Sequence, residues 1–327
     1  MNEHTSMEQV AETGRLLLES RLVARTWGNF SARLDGTRFA ITPSGLGYER
    51  MKAEDIVRCR LADDRFEGSR RPSSEKGIHA AAYRIFPEVG FVIHTHQPYA
   101  TALGLSAPAE LRLSAQERDA LGGIAWAEYG LPGTKKLRNA VAAALGTGAH
   151  TVLMRHHGTL ICGADREETL RRAALLEEVC RRSCRCGEPR GSARDASALL
   201  SRVQRAYPGA AVEDGDAARA WSELGVPLRA QLDDAAQMIG VRIPAAKDER
   251  ALMALLKKHS AVFLPGVGAV VRGEDADDTA ALKVLTDKAA VAALHTRALR
   301  CRAELGLLDC LLMRRTYLRK YSKKKKG

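Results

Sequence analysis

Two histidines two residues apart, in the segment Phe91-Val-Ile-His-Thr-His96, have the spacing to share one metal ion. The run is apolar and reads as a buried strand, and strand side chains alternate, so His94 and His96 project from one face. Such a pair would also suit a polar cleft, and a third ligand separates the two readings, because catalytic zinc sites typically use three protein ligands and keep one position open. His156-His157-Gly158, on a strand leading into a turn, supplies that ligand. Proton transfer beside a metal needs a carboxylate. Glu75, in Pro72-Ser73-Ser74-Glu75, opens the helix just before the His94 strand. Free backbone N–H groups at that helix start, together with Ser73 and Ser74, suit an anion, most simply a substrate phosphate. Gly28-Asn29-Phe30-Ser31 and Thr42-Pro43-Ser44-Gly45 are further glycine-bearing turns with small donors.

The elements that must position these residues follow from periodicity. Val10, Leu16, Leu17, Leu18, Leu22 and Val23 recur at helical spacing, which predicts an opening amphipathic helix over 7–25. Short strands are expected at 30–34 and, after Asp35-Gly36, at 38–41. A helix is expected over 74–86, ended by Pro87, then the strand 91–96, a helix from Pro98, a strand-like run over 152–162, and a long helix from Asp165 to about Cys186. Alternating strands and helices make residues 1–186 a layered α/β domain.

Residues 187–217 are rich in small and polar types and contain two prolines, which predicts a linker. Beyond it the chain repeats itself. Thr151–Thr169 aligns without gaps on Ala261–Thr279, with Val152/Val262, Gly158/Gly268, Gly163/Gly273, Asp165/Asp275 and Thr169/Thr279 identical. Residues 218–327 therefore read as a degenerate half-repeat carrying a basic tail. In this alignment His157 falls on Val267 and His156 on Gly266, so one metal per chain is expected. The segment Leu232–Gly240 is expected to lie where the His94 strand and its following helix would be.

The turn Gly28–Ser31, the TPSG of Thr42–Gly45, the SSE of Ser73–Glu75, the HTH of His94–His96 and the HG of His157-Gly158 together resemble the class II aldolase and adducin family over about residues 7–186. The resemblance implies a three-layer α/β/α fold around a mixed, mostly antiparallel sheet, commonly assembled as a homo-oligomer. It implies that His94, His96 and His157 bind one divalent metal, zinc first among the candidates. Glu75 would be the acid/base, touching the metal when substrate is absent, and Asn29, Ser44, Gly45, Ser73 and Ser74 would hold a substrate phosphate. The implied reaction is cleavage of a small ketose phosphate through an enediolate stabilised by the metal as Lewis acid, with no Schiff-base lysine.

One departure bears on the reaction. The family's aldolases carry a proton-donating tyrosine in the segment before a GG pair, whereas here Ser114–Gly123 has Gln116 or a neighbour in its place. Epimerase, dehydratase or decarboxylase chemistry on the same platform is therefore an alternative to a lyase, as is an adducin-like scaffold. For epimerisation, the aspartate and C-terminal tyrosine that the family's epimerases use have no clear match.

Composition narrows the class. With 327 residues, 45% of them hydrophobic, the chain can bury one large core or two moderate ones. Seven cysteines and an N-terminus without a basic start and apolar run fit reduced thiols in the cytoplasm, and no apolar stretch is long enough to cross a membrane. The net charge of +12 collects between Arg171 and Arg205 and in the tail from Arg319. With only 5% aromatics, this predicts solvated helix faces and a frayed basic tail, not a nucleic-acid surface.

Overall fold

The computed structural model describes residues 2–20, 22–23, 25–106, 108, 111–187 and 195–324. Contacts divide the chain into two compact units, Met1–Ser183 and Cys184–Gly327.

The first unit runs α1 (Glu3–Glu19), β1 (Asn29–Arg33), β2 (Arg38–Ile41), β3 (Val57–Arg60), α2 (Lys76–Ile85), β4 (Phe91–Thr95), α3 (Pro98–Leu103), α4 (Ala115–Ala120), β5 (Ile124–Ala127), α5 (Lys135–Leu145), β6 (Thr151–Met154), β7 (Gly158–Gly163) and α6 (Arg166–Ser183). Its seven strands form one sheet in the order β3-β2-β1-β4-β7-β6-β5. Every pairing is antiparallel except β5 with β6, so the sheet is mixed and mostly antiparallel as expected.

Strand alternation divides the apolar residues between two faces. Phe39, Ile41, Val92, Val152 and Leu160 pack with Ile78 and Ala82 of α2 and Leu137 and Val141 of α5. Phe30, Ala40, Phe91 and Ile93 pack with Met7, Val10 and Leu17 of α1 on the other face. Helices thus cover both sides of the sheet. The run 152–162 is not one strand but a hairpin, broken where His156 takes a left-handed φ of 65°. The helix after it starts where Asp165 accepts a bond from the Glu168 N–H at 2.7 Å and ends at Ser183, a little short of the expected Cys186.

The second unit contains α7 (Ser197–Ala206), β8 (Ala210–Glu213), α8 (Asp216–Ser222), β9 (Leu228–Arg229), α9 (Asp233–Met238), β10 (Arg242–Ile243), α10 (Glu249–Leu256), β11 (Ala261–Leu264), β12 (Gly268–Arg272), α11 (Ala276–Ala298) and α12 (Leu307–Lys324). The expected linker over 187–217 is corrected here. Residues 188–194 lie outside the described ones, but α7, β8 and the start of α8 fall within the range, and Leu199, Val203 and Ala210 join the core of this unit. Leu199 and Val203 are the only buried residues of α7, so the apolar pattern of this helix is faint in the sequence.

The hairpin β11–β12 has the register of β6–β7. Thr151 faces Ile161 and Ala261 faces Val271, and every paired position between is displaced by 110 residues, 261 less 151. The turn repeats too, with Gly266 at φ 76° where the first hairpin has His156. The neighbour of β12 is β8, paired antiparallel with Val270 facing Val212, as Leu160 of β7 faces His94 of β4. The counterpart of the His94 strand is therefore β8, not the expected Leu232–Gly240, most of which is α9. These strands form their own three-stranded sheet, β11-β12-β8.

Four arginines of the stretch 171–205 are held in ion pairs. Arg172 bonds to Glu168 at 2.8 Å, Arg181 to Glu178 at 2.9 Å, Arg182 to Glu117 at 2.5 Å and Arg202 to Glu249 at 2.6 Å. The tail expected to fray is helical to Lys324. Cys59, Cys162, Cys180, Cys186 and Cys310 are free thiols, and no described helix is long and apolar enough to cross a membrane.

Candidate metal centre

Three histidines meet at one end of β4. His94 lies on the strand, His96 just past its last residue, and His157 in the β6–β7 turn, which the pairing of β4 with β7 brings alongside. Their ligand nitrogens all lie within 4.8 Å of one another, and all three residues are buried. His157 follows the left-handed His156, whose ring turns away to meet Tyr129 edge-on at 5.1 Å. The glycine after His157 is required by space: a Cβ on Gly158 would sit 2.3 Å from the Thr95 carbonyl and 3.3 Å from both other histidine rings. The glycine of the GN turn is required likewise, since Gly28 has φ +122° and its Cβ would lie 2.8 Å from the His94 carbonyl.

Glu75 closes the group from the N-terminus of α2. It sits at the N-cap but makes no side-chain cap there, which leaves its carboxylate to the histidines. Oε1 lies 2.8 Å from His157 Nε2 and Oε2 lies 3.2 Å from His94 Nε2. Burial alone would raise its pKa, but the charges of His157 and His94 and their hydrogen bonds outweigh burial and hold the carboxyl well below the usual glutamate value.

The donor set suits a cation. His94 Nδ1 is 2.7 Å from the Thr159 carbonyl, which can only accept, so Nδ1 carries a proton and Nε2 is the ring nitrogen turned to the site. That nitrogen lies 3.1 Å from His96 Nε2 and 3.2 Å from Glu75 Oε2, a cluster of donor atoms that one cation could tie together. Tetrahedral zinc with bonds of about 2.05 Å would hold its nitrogens roughly 3.3 Å apart. The end of the strand is fixed beneath them, with Thr95 bonded to Thr159 at 2.8 Å and Gln97 donating to the Ala173 carbonyl at 2.7 Å.

The turns expected to hold phosphate are brought together by a bridge between Pro43 and Pro72. Ser44 donates its N–H to the Arg71 carbonyl, and Ser73 donates its own to Thr42. Ser44, Gly45 and Ser74 are exposed, while Ser73 is buried and accepts the Glu75 N–H at 3.2 Å. Beside Ser74 and Glu75 lies a cavity of about 120 Å³ whose lining includes Lys76, Thr134, Lys135 and Arg138. Asn29 is placed differently from the exposed turns. It is buried under Glu75, donating Nδ2 to Oε2 at 3.0 Å. Gln116 is exposed on α4.

Beneath Asn29 lies a group that the sequence reading missed. His79 is fully buried, with Nε2 2.6 Å from Asn29 Oδ1 and Nδ1 2.7 Å from Ser31 Oγ, and Ser31 in turn lies 2.8 Å from the Tyr83 hydroxyl. Burial, and after it the neighbouring His94 charge, pushes His79 down to about 3, so it is neutral. Two spacings could have disclosed the group: His79 is four residues after Glu75 along one helix face, and Ser31 is two after Asn29 on one strand face.

Comparison with known proteins gives the same fold. A family model described as the class II aldolase and adducin N-terminal domain matches residues 8–184. A solved L-fuculose 1-phosphate aldolase is 28% identical with a TM-score of 0.51, over 62% of this chain and 97% of that one. YgbL from Klebsiella pneumoniae, whose reaction stands open among aldolase, epimerase and decarboxylase, is 23% identical with a TM-score of 0.52, over 55% of this chain and 89% of its own. YgbL from Escherichia coli is 21% identical with a TM-score of 0.51, over 55% and 88%.

Proposed function

Because this chain belongs to the class II aldolase and adducin family, we propose that its first unit is a metal-dependent lyase cleaving a small ketose phosphate. The observation that carries the reading is the convergence of three buried histidine nitrogens and the Glu75 carboxylate on one point. A scaffold has no use for such a group, which costs desolvation and mutual repulsion. A divalent metal held by His94, His96 and His157, zinc first among the candidates, supplies Lewis-acid polarisation of a substrate carbonyl.

The chain's own residues do the rest. Glu75 moves a proton at the carbon next to that carbonyl, and burial beneath the substrate keeps water from competing for it. Ser44, Gly45, Ser73 and Ser74 line the phosphate position, the serines through their hydroxyls because the Ser44 and Ser73 N–H groups already bond to the Arg71 and Thr42 carbonyls, with the charge of Lys76, Lys135 and Arg138 beside them. Asn29, which the resemblance assigns to the phosphate, already gives one amide N–H to Glu75. A second reading keeps the same platform but changes the reaction to epimerisation, dehydration or decarboxylation. It is favoured by Gln116, since an amide can neither take the proton of the hydroxyl that becomes the aldehyde nor return it in the condensation direction near neutral pH.

We read the second unit as an incomplete copy of the first in which the histidine ligands are not repeated, with Val212 where the first copy has His94 and Val267 where it has His157. A homo-oligomer in the cytoplasm completes the proposal, and light scattering checks its size. The deciding experiment measures cleavage of a panel of ketose 1-phosphates with and without a chelator. Chelator-sensitive release of dihydroxyacetone phosphate and an aldehyde is expected, and a chain that binds no divalent metal would overturn the enzyme reading.

A further inference from the structure

We propose that His79 is a positioning residue that sets the orientation of Glu75 through the Asn29 side chain. The inference rests on Glu75 being the acid/base of the proposed reaction.

The argument is one of hydrogen-bond direction. A carboxylate only accepts, so the Asn29 group 3.0 Å from Glu75 Oε2 must be the amide Nδ2, and Oδ1 must point the other way. Oδ1 also only accepts, and its partner at 2.6 Å is His79 Nε2, which must therefore carry the proton. A neutral His79 then has a bare Nδ1, which accepts the Ser31 hydroxyl at 2.7 Å, and Ser31 Oγ accepts from Tyr83 at 2.8 Å. Four bonds share one sense, from Tyr83 through Ser31, His79 and Asn29 to Glu75. The alternative tautomer would require Asn29 to turn over and set its carbonyl oxygen against the carboxylate.

Every member but Glu75 is almost wholly enclosed, so water cannot replace a lost partner, and α2 carries both His79 and Glu75 on one rigid element. His79 touches none of the three metal-binding histidines through its own bonds. Its influence runs through Asn29, which shares Oε2 of Glu75 with His94 while His157 takes Oε1.

The test uses the full, zinc-loaded chain. A long-range proton–nitrogen spectrum of its histidines reads the tautomer without turnover, and Nε2–H with bare Nδ1 is the expected result for His79. Deuterium exchange into dihydroxyacetone phosphate in D₂O then reads the proton step. His79→Leu is expected to lower the exchange kcat about 10- to 100-fold, the usual scale for an outer partner, with KM within a factor of about 2 and zinc content unchanged. His79→Gln, whose amide can still donate towards Asn29, is expected to recover most of that loss. An Nδ1–H tautomer would overturn the inference, and so would an unchanged kcat in His79→Leu or a rise confined to KM. A wild-type chain that exchanges nothing would instead overturn the acid/base reading of Glu75, and the tautomer keeps the two failures apart.

Discussion

Burial of a neutral imidazole makes His79 a source of acid sensitivity whose size follows from its pKa. The group is pushed down to about 3 in the folded chain, against 6.5 for an exposed histidine. The unfolded chain therefore binds a proton between these values that the folded chain refuses, so stability is full above about pH 6.5 and drains away as pH falls towards 3. Between pH 7 and pH 5 the loss from this one residue comes to about 2 kcal/mol. His79→Gln removes the titration but keeps a polar, uncharged side chain, so its stability should fall by that much less over the same interval, whatever its stability at pH 7. Urea unfolding with chelator present, to remove metal linkage, gives both values, and Trp27 and Trp126 report the first unit. Wild type and His79→Gln losing the same free energy, within about 0.5 kcal/mol, would show that His79 is not held neutral.

Other expectations concern the site directly. Glu75→Gln should keep fold and metal while turnover falls by about 100-fold or more, and unchanged turnover would remove Glu75 from the chemistry. His157→Ala should lose the metal by elemental analysis, whereas His156→Gly should keep it, because His156 faces Tyr129 and a glycine already serves the same left-handed turn position in the second hairpin. Metal bound after joint loss of His94, His96 and His157 would disprove the single site. Ser74→Asp should weaken phosphorylated substrates selectively, by setting a negative charge at the N-terminus of α2. Equal loss of affinity for the unphosphorylated sugars would argue against a phosphate pocket there.

The layered α/β class was legible because periodicities were strong where burial is one-sided, as in Val10 to Leu17 of α1 and Phe91 to Ile93 of β4. The linker was misread for the opposite reason. Helix α7 offers only Leu199 and Val203 as buried residues, and β8 is four residues long, so neither makes a pattern until its partners are in place. The His94–His96 pair was visible from strand alternation. Glu75 could not be tied to His157 by spacing, since 82 residues separate them, and the family resemblance supplied that link. Asn29 shows a limit of motif transfer, because a motif fixes where a side chain sits but not which neighbours take its hydrogen bonds.

The pairing of β4 with β7 also orders events during folding. His94 bonds to Thr159 across 65 residues, and His157 reaches the site only when that long loop has closed. Closure of so distant a pairing is slow compared with a local hairpin, because chain entropy must be lost before any contact repays it. The β6–β7 hairpin can form early, and His94 and His96 are neighbours even in an extended chain. An unfolded molecule thus holds half of the coordination sphere as a weak chelating pair, while tight capture waits for the sheet to assemble. If the proposed metal binds, its uptake would be a late clock for the first unit, and free metal during refolding would draw the equilibrium forward once the sheet has closed.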